Sequence, residues 1–262
     1  MSSKLNRFLE PISDFLLEAG ELLVFAGRIL REFFRPPFEH AELLKQSYLL
    51  GYKTLPLVTI TAFILGLVLT LQSRPVLVDF GAEALLPSMV SISVIRELGP
   101  VITALLCAGK ISSGIGAELG SMKVTEQIDA MEVSGTNPLK YVVATRVLAT
   151  TFMVPLLVIM AISIALIGSY TAVNMHAEVS LQLFIDQALG PIKFVDVIPA
   201  LIKSTFFGFF IGLIGSFKGY NSARGTEAVG VAAKTAVVSA SLIVFIIDLL
   251  AVQVTEMVLN LT

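Results

Sequence analysis

The chain has 262 residues, of which 55% are hydrophobic and 15% are charged, and its mean hydropathy is +0.86. This composition excludes an ordinary soluble domain and indicates one integral membrane bundle. The net charge of −2 and the lack of a basic run in the sequence argue against a nucleic-acid partner. Cys107 is the only cysteine, so no intrachain disulfide can form, and His40 and His176 are too isolated to predict a metal site.

The first element in chain order is an amphipathic helix. From Leu5 to Phe34, apolar residues recur at three- and four-residue spacing, and charged residues fill most of the intervals. Ahead of a membrane bundle, this pattern predicts a helix that lies in the membrane interface and is stopped by Arg35-Pro36-Pro37. A second short helix, about Glu39 to Lys53, is then expected to lead into the bilayer.

Five apolar segments follow, each long enough to cross a bilayer as a helix of about 20 residues. They predict an all-α integral membrane protein that forms a single domain over residues 1–262. Residues 1–54 would be interfacial helices and residues 55–262 would be the transmembrane bundle. The predicted spans are Leu55–Ser73, Ala84–Gly109, Val147–Met175, Val197–Phe217 and Thr235–Thr255.

The distribution of basic residues predicts the orientation of these spans. The segments outside the spans carry 7, 1, 4, 1, 3 and 0 lysines and arginines in chain order, and these numbers alternate between high and low without exception. Because positively charged loops stay in the cytoplasm, we expect the N-terminus inside and the C-terminus outside.

Two adjacent charges interrupt the second predicted span. Arg96 and Glu97 lie between apolar runs that end at Gly109, which places them near the middle of the membrane. Pro100 follows and frees the carbonyl group of Arg96, so a kink is expected there. The pair is interpreted as part of a site, with a structural ion pair between helices as the alternative. Sequence neighbours do not share one helix face, so at most one of them is expected to point straight at a cavity, and Glu97 is favoured.

The last two spans carry one charge each. Lys203 is the seventh residue of the fourth span, and Asp248 lies seven residues before the end of the fifth. In antiparallel helices both would lie about 9–10 Å below the outer border, with the Arg96–Glu97 pair a few ångströms deeper. An unpaired charge at that depth is costly, so we expect Lys203 and Asp248 to pair or nearly pair. Their role would be a polar patch for a substrate, or alternatively a clamp for assembly.

The predicted cytoplasmic loop, Gly109–Arg146, contains a pattern of its own. Thr125 is expected to cap a short helix that Gly135 stops. Ile128 and Met131 would share one face, with acidic residues around them. Such a helix suits docking into a groove of another protein, and an interfacial loop that only covers the bundle is the alternative. The docking residues would be Glu126, Ile128, Asp129, Met131 and Glu132.

The segment RELGPVITALLCAGKISSGIGAELGSMKVTEQIDAMEVSGTNPLKYVVATRVLA, which begins at Arg96, resembles the signature region of the MlaE/YrbE permease family. The likeness extends over nearly the whole chain. It implies a homodimeric permease of an ABC-type phospholipid transporter in the bacterial inner membrane. The implied partners are an Mla-type ATPase docked on the loop helix, a periplasmic hexamer of MCE domains and, in many systems, a STAS-domain subunit.

The resemblance also implies the substrate and part of the site. Glycerophospholipids would move between the inner and outer membranes, which would maintain the lipid asymmetry of the outer membrane. The cavity would be lined or supported by Arg96, Glu97, Lys203 and Asp248. Two departures are Arg74-Pro75 in the first outer loop and Lys110, which stands where an arginine is common.

An apolar path for acyl chains is further predicted near the outer border of the first span. Ordinary packing against membrane lipid is the alternative. The residues of this path would be Leu69, Val76, Leu77 and Phe80.

The sequence contains no phosphate-binding G-x-x-x-x-G-K-[ST] loop, so the chain is not expected to be an enzyme or to hold a cofactor itself. ATP would be bound by the partner ATPase. A secondary transporter or channel that uses the buried charges as an ion relay is the alternative, although the spans show no inverted repeat. A membrane scaffold whose charges only specify assembly is a third possibility.

Overall fold

The structure is a computed structural model that describes residues 2–36 and 38–259, with side chains described over 17–36 and 38–257. Every regular element within these residues is helical. Five helical stretches are long and apolar enough to cross a membrane, which confirms the number of spans. They are His40–Asp79, Glu83–Val124, Leu139–Asn174, Phe194–Tyr220 and Thr226–Met257.

The α-helices are numbered in chain order, and three π-helical turns interrupt or precede them. The α-helices are α1 Ser2–Phe33, α2 His40–Leu50, α3 Leu55–Asp79, α4 Leu86–Ser93, α5 Gly99–Cys107, α6 Ser113–Val124, α7 Gln127–Val133, α8 Thr145–Asn174, α9 Leu181–Leu189, α10 Phe194–Tyr220 and α11 Thr226–Leu259. The π-helical turns are Val94–Leu98, Ala108–Ser112 and Leu139–Ala144.

The amphipathic helix α1 is confirmed, and it packs against one end of the bundle. Phe25 and Ile29 are buried, and the ring of Phe25 meets that of Phe217 on α10 edge-on with 5.4 Å between centroids. Leu23 and Phe34 remain exposed. The helix ends at Phe33, as the Arg35-Pro36-Pro37 signal predicts, although Pro37 itself and the side chains before residue 17 lie outside the described residues. Its location in a membrane interface stays a prediction.

The second span is longer than predicted, and the loop after it is shorter. Helices α4, α5 and α6 join through two π-helical turns into one helical stretch that continues to Val124. The expected boundary at Gly109 is therefore wrong, because Lys110 ends the apolar run but does not end a helix. A π-helical turn, Val94–Leu98, lies directly before Pro100. There the N–H of Gly99 donates to the carbonyl of Val94, five residues back, which is the hydrogen bond of a π-helical turn. The helix is thus widened directly before Pro100, which has no N–H to donate.

Helix α10 lies at the centre of the bundle and packs against α6, α8 and α11. Three glycines of α10, Gly208, Gly212 and Gly219, lie where neighbouring helices approach closely, and we call them the glycine ridge. A Cβ atom at Gly208 or Gly212 would collide with Thr150 of α8, and one at Gly219 would lie 2.8 Å from the carbonyl oxygen of Gly116 on α6. The four-residue spacing of Gly208 and Gly212 therefore allows α10 to approach α8 closely, as small residues at this spacing do between membrane helices.

Helix α9 was not predicted from the sequence. It connects α8 to α10, and its N-cap is Ser180, whose side chain accepts the backbone N–H of Leu183 at 3.3 Å. Phe184 is buried edge-on against Tyr170 with 5.2 Å between ring centroids. The buried hydroxyl of Ser91 on α4 donates to the carbonyl oxygen of Ala188.

Candidate substrate cavity

The structure brings the four predicted charges together and adds a fifth, Asp196. Two of the five lie on α10, where Asp196 occupies the first turn and Lys203 follows seven residues later on the same face. Arg96 and Glu97 come from the π-helical turn Val94–Leu98, and Asp248 comes from α11.

Lys203 is the centre of this cluster. Its ammonium group lies 2.7 Å from a carboxylate oxygen of Glu97 and 3.0 Å from one of Asp248. The side chain is only 4% exposed, so the charge depends on these two partners. The predicted pairing of Lys203 with Asp248 is confirmed, and Glu97 makes the arrangement a triad that ties the second, fourth and fifth spans together.

Arg96 makes a second ion pair beside the triad. Its Nε donates to Oδ1 of Asp196 at 2.8 Å, while Oδ2 of the same carboxylate accepts the backbone N–H of Lys193 at 2.8 Å. Asp196 therefore caps its own helix and holds Arg96 at the same time. Arg96 was expected to lie deeper than Lys203, but its side chain reaches the first turn of α10 instead.

The expectation that only one of the two adjacent charges faces the cavity is wrong. Arg96 and Glu97 both line it, because each long side chain reaches a different partner on one face of α10. Both side chains stay about half exposed, at 49% and 45%, whereas Asp196 and Lys203 are buried. Arg96 and Glu97 are thus accessible side by side, and the exposed Glu256 of α11 adds a second accessible carboxylate to the lining.

The cavity itself measures about 420 Å³ and lies between the second span, α10 and α11. Its walls include the start of α10 and the end of α11, which places it at one end of the bundle. An apolar groove of about 550 Å³ continues from it between α10 and α11. Lys203 and Pro199 border both spaces. The further residues of the groove are Ile202, Phe206, Phe210, Ile247, Leu250 and Val254.

The four apolar residues predicted on the first span lie elsewhere. Leu69 and Leu77 of α3 pack against the core, whereas Val76 and Phe80 are exposed. None of them lines the described cavity, because α3 packs mainly against α8. Arg74 and Glu83 form an ion pair at 2.9 Å across the turn that follows α3. A role for the four residues in acyl-chain passage stays a prediction.

The predicted loop helix exists as α7, Gln127–Val133, but its start differs from the expectation. Thr125 does not cap it, because its hydroxyl donates to the carbonyl oxygen of Ser121 at 2.9 Å at the end of α6. Glu126 instead begins the helix with a left-handed φ of 57°. The expected stop is confirmed: Gly135 has a φ of 80°, and the Thr136 N–H bonds back to the carbonyl of Met131.

The apolar face of α7 points inward. Ile128 is fully buried and Met131 is partly buried against the core, so the docking role expected for Ile128 is wrong. Asp129 is bound within the chain, 2.9 Å from Lys123 and 3.6 Å from Arg224. The outer surface of α7, by contrast, is accessible. It consists of Glu126, Gln127, Ala130, Glu132 and Val133.

A further buried ion pair lies near α7 and was missed. Arg146 on α8 is 3% exposed, and its guanidinium donates to Glu118 on α6 at 2.7 Å and to the carbonyl of Val142 at 2.6 Å. In the sequence Arg146 directly precedes the apolar run of the third predicted span, so it was assigned to the loop. Asp196 was missed for the same reason, since it precedes the uncharged part of the fourth span. Its spacing of seven residues from Lys203 was the available signal.

A bundle of five helices that can span a membrane, with an ion-paired cavity at one end, defines a multi-pass membrane protein. The family described as Permease MlaE matches residues 43–254, and the chain belongs to this family. It is 36% identical over 207 residues to the intermembrane phospholipid transport system permease protein MlaE of Haemophilus influenzae, covering 79% of each chain.

Two further relatives are named as probable ABC transporter permeases. A probable ABC transporter permease protein of Rickettsia typhi is 34% identical over 88% of this chain and 90% of its own length. One from Synechocystis is 31% identical over 84% of each chain.

Proposed function

We propose that this protein is the permease subunit of an ATP-driven transporter of glycerophospholipids, with the substrate headgroup in the charged cavity and the acyl chains in the adjoining groove. The observation that carries the proposal is the continuity of these two spaces through Lys203 and Pro199. A phospholipid needs a polar and an apolar compartment in contact. Each space falls within the range of about 300–1,000 Å³ typical of ligand pockets.

The accessible charges, one guanidinium and the two carboxylates of Glu97 and Glu256, suit a zwitterionic headgroup better than an anionic one. The half-exposed guanidinium of Arg96 can donate to a phosphate, since arginine matches phosphate geometry. The half-exposed carboxylate of Glu97 lies next to it and can accept from an ammonium group. Lys203 and Asp196 are buried and would hold these two groups in place.

The wider system is proposed from the relatives and from the lack of a phosphate-binding loop in the sequence. A separate cytoplasmic ATPase would supply the energy, and the similarity to the intermembrane phospholipid transport permease of Haemophilus supports transport between membranes. We further propose a homodimer in the bacterial inner membrane, with a periplasmic MCE-domain hexamer, a possible STAS-domain subunit and a role in the lipid asymmetry of the outer membrane.

In this proposal the N-terminus is cytoplasmic, the C-terminus is periplasmic and α7 docks on the ATPase. The cavity then opens toward the periplasm, because it lies where α10 begins and α11 ends. The docking surface of α7 is its accessible side, with Glu126, Glu132 and Val133, rather than the buried Ile128.

A cross-linking experiment tests the lipid site. A photoreactive amino acid replaces Phe206 in the groove or, as a control, Phe152 on α8; both side chains are more than half exposed. After illumination in cells, position 206 is expected to capture phospholipid several-fold more than position 152. Equal capture at both positions would mean that Phe206 only faces bulk lipid, and the proposed site would be rejected.

A purification experiment tests the energy source. An affinity-tagged copy of the chain is expected to retain an ATPase whose activity responds to added phospholipid. The secondary-transporter alternative instead requires lipid movement in vesicles that contain the purified chain alone and an ion gradient. Gradient-driven movement without nucleotide would therefore overturn the ATP-driven mechanism.

A further inference from the structure

Helix α9 has a wider apolar arc than the bundle covers. Phe184 and Ala188 are buried, whereas Leu181, Ile185 and Leu189 form an adjoining exposed stripe at four-residue spacing. At 100° per residue, the buried pair and the exposed stripe together occupy roughly 140° of the helix circumference. Gln182 and Asp186 follow Leu189 around the circumference, and the exposed Leu183 lies opposite the stripe.

The surroundings of this stripe indicate what covers it. Helix α9 connects two spanning helices, α8 and α10, so it lies at a border of the membrane-spanning region. The exposed surface continues from Leu189 to Phe194 and Ile198 at the start of α10, which are 84% and 52% exposed. An amphipathic helix that adjoins the apolar surface of a span meets the conditions for lying in the interface plane.

We infer that α9 is an interfacial helix whose Leu181–Ile185–Leu189 stripe is embedded in the acyl-chain border of one lipid leaflet, the leaflet onto which the charged cavity opens. The stripe faces the lipid, and Gln182 and Asp186 face the water or the headgroups. This contact with the leaflet is distinct from the substrate cavity, because none of the three residues lines it.

This placement has a consequence for the cavity. The buried side of α9 is attached to α4 through the Ser91–Ala188 hydrogen bond, and α4 leads directly to the turn with Arg96. The same, C-terminal end of α9 leads on to Lys193 and Asp196, the partner of Arg96. A helix fixed at the depth of the leaflet border therefore holds both sides of the Arg96–Asp196 pair at that depth.

The chain contains no tryptophan, which permits a direct test. Ile185→Trp and the control Asp186→Trp, whose side chain points about 100° away around the helix, are each reconstituted as the full chain in phospholipid nanodiscs, where both faces are accessible. Quenching of the single tryptophan is measured with lipids brominated in the acyl chains and with aqueous iodide. Both positions are exposed, so neither substitution removes a buried contact.

The indole at position 185 is expected to be quenched several-fold more strongly by brominated lipid than the indole at 186, and several-fold less by iodide. Similar iodide quenching at both positions would place the stripe in water and overturn the inference. Protection of position 185 from both quenchers would also overturn it, because protein would then cover the stripe. Should Ile185→Trp fail to fold, Leu181→Trp on the same stripe replaces it.

Discussion

Lys203 and Asp248 lie 3.0 Å apart between α10 and α11, and Glu97 approaches the same ammonium group at 2.7 Å from the second span. One buried cation thus holds two carboxylates from two different helices. Removal of Lys203 would leave both of them without their partner, whereas removal of Asp248 would leave the Lys203–Glu97 pair intact.

Lys203→Ala is therefore expected to cost about 3–5 kcal/mol of stability, as breaking a buried ion pair does, and Asp248→Ala is expected to cost less. The double variant Lys203→Ala/Asp248→Ala should be more stable than Lys203→Ala alone, because it removes one unpaired carboxylate. Unfolding of the purified chain in mixed micelles measures these differences. Lys218→Ala on the same helix is the control, since its partner Glu18 is about half exposed and such pairs contribute about 0–1 kcal/mol.

Transport separates a structural role of this cluster from a role in binding. If pairing is its main role, lipid transport should follow stability, and the double variant should transport better than Lys203→Ala. A double variant that is the least active of the set while remaining folded would show that the two charges act separately on the substrate. Wild-type transport in all three variants would contradict both roles.

Asp196 is buried and Arg96 is half exposed, so loss of Arg96 should be more severe than loss of Asp196. Arg96→Ala leaves the buried Asp196 carboxylate with the Lys193 N–H alone, and an uncompensated buried charge costs about 3–5 kcal/mol. Asp196→Ala removes the ion pair and the cap on the Lys193 N–H, which costs about 1 kcal/mol for the cap, but leaves Arg96 in contact with water. Unfolding free energies of the two single variants and the double variant measure this difference in a double-mutant cycle. A smaller cost for Arg96→Ala than for Asp196→Ala would mean that the buried carboxylate does not depend on its guanidinium partner.

Part of the charged cluster could be predicted from the sequence. The remainder could not, because it depends on how the helices pack in three dimensions. Apolar runs of sufficient length define the spans, and antiparallel neighbours with matched depths predict the contact between Lys203 and Asp248. The π-helical turn at Val94–Leu98 cannot be read from periodicity, because it depends on how Pro100 and its neighbours pack. Asp196 lies in the first turn of α10, where a hydropathy criterion places the border of the span too late.

The short amphipathic helices α7 and α9 are less predictable from the sequence than the spans. The nine residues of α9 follow helical spacing from Ser180 onward, but a search for long apolar segments passes over them. In α7, periodicity correctly placed Ile128 and Met131 on one face. It could not say whether that face meets the bundle or a partner, because burial is a tertiary property.

The accessible side of α7 is expected to bind the ATPase. Glu132→Lys and Val133→Asp should weaken copurification of the ATPase while leaving the unfolding midpoint of the chain nearly unchanged, because both side chains are exposed. Ile128→Ser should instead lower that midpoint, because it removes a fully buried side chain. Glu21→Lys, an exposed acidic residue on α1, is the control for charge reversal. Full ATPase binding by Glu132→Lys and Val133→Asp would contradict docking through this surface.

The glycine ridge of α10 permits a prediction in which helix propensity and packing oppose each other. Alanine is favoured over glycine in a helix by about 0.8–1.0 kcal/mol, so propensity alone predicts that Gly208→Ala and Gly114→Ala both stabilise the chain. A Cβ atom at Gly114 meets nothing within 4 Å, whereas one at Gly208 collides with the backbone carbonyl oxygen of Thr150. Because this oxygen belongs to the backbone of α8, it can move aside only if α10 and α8 separate.

We therefore expect Gly114→Ala to raise the unfolding midpoint slightly and Gly208→Ala to lower it, by an overpacking cost of about 1–3 kcal/mol. Because α8 also carries the buried Arg146, a wider α8–α10 spacing should be visible as a longer cross-link between cysteines placed on the two helices in a Cys107→Ala background. If Gly208→Ala proves as stable as Gly114→Ala, the close approach of α10 to Thr150 is not required for the fold. The ridge would then be an incidental run of small residues.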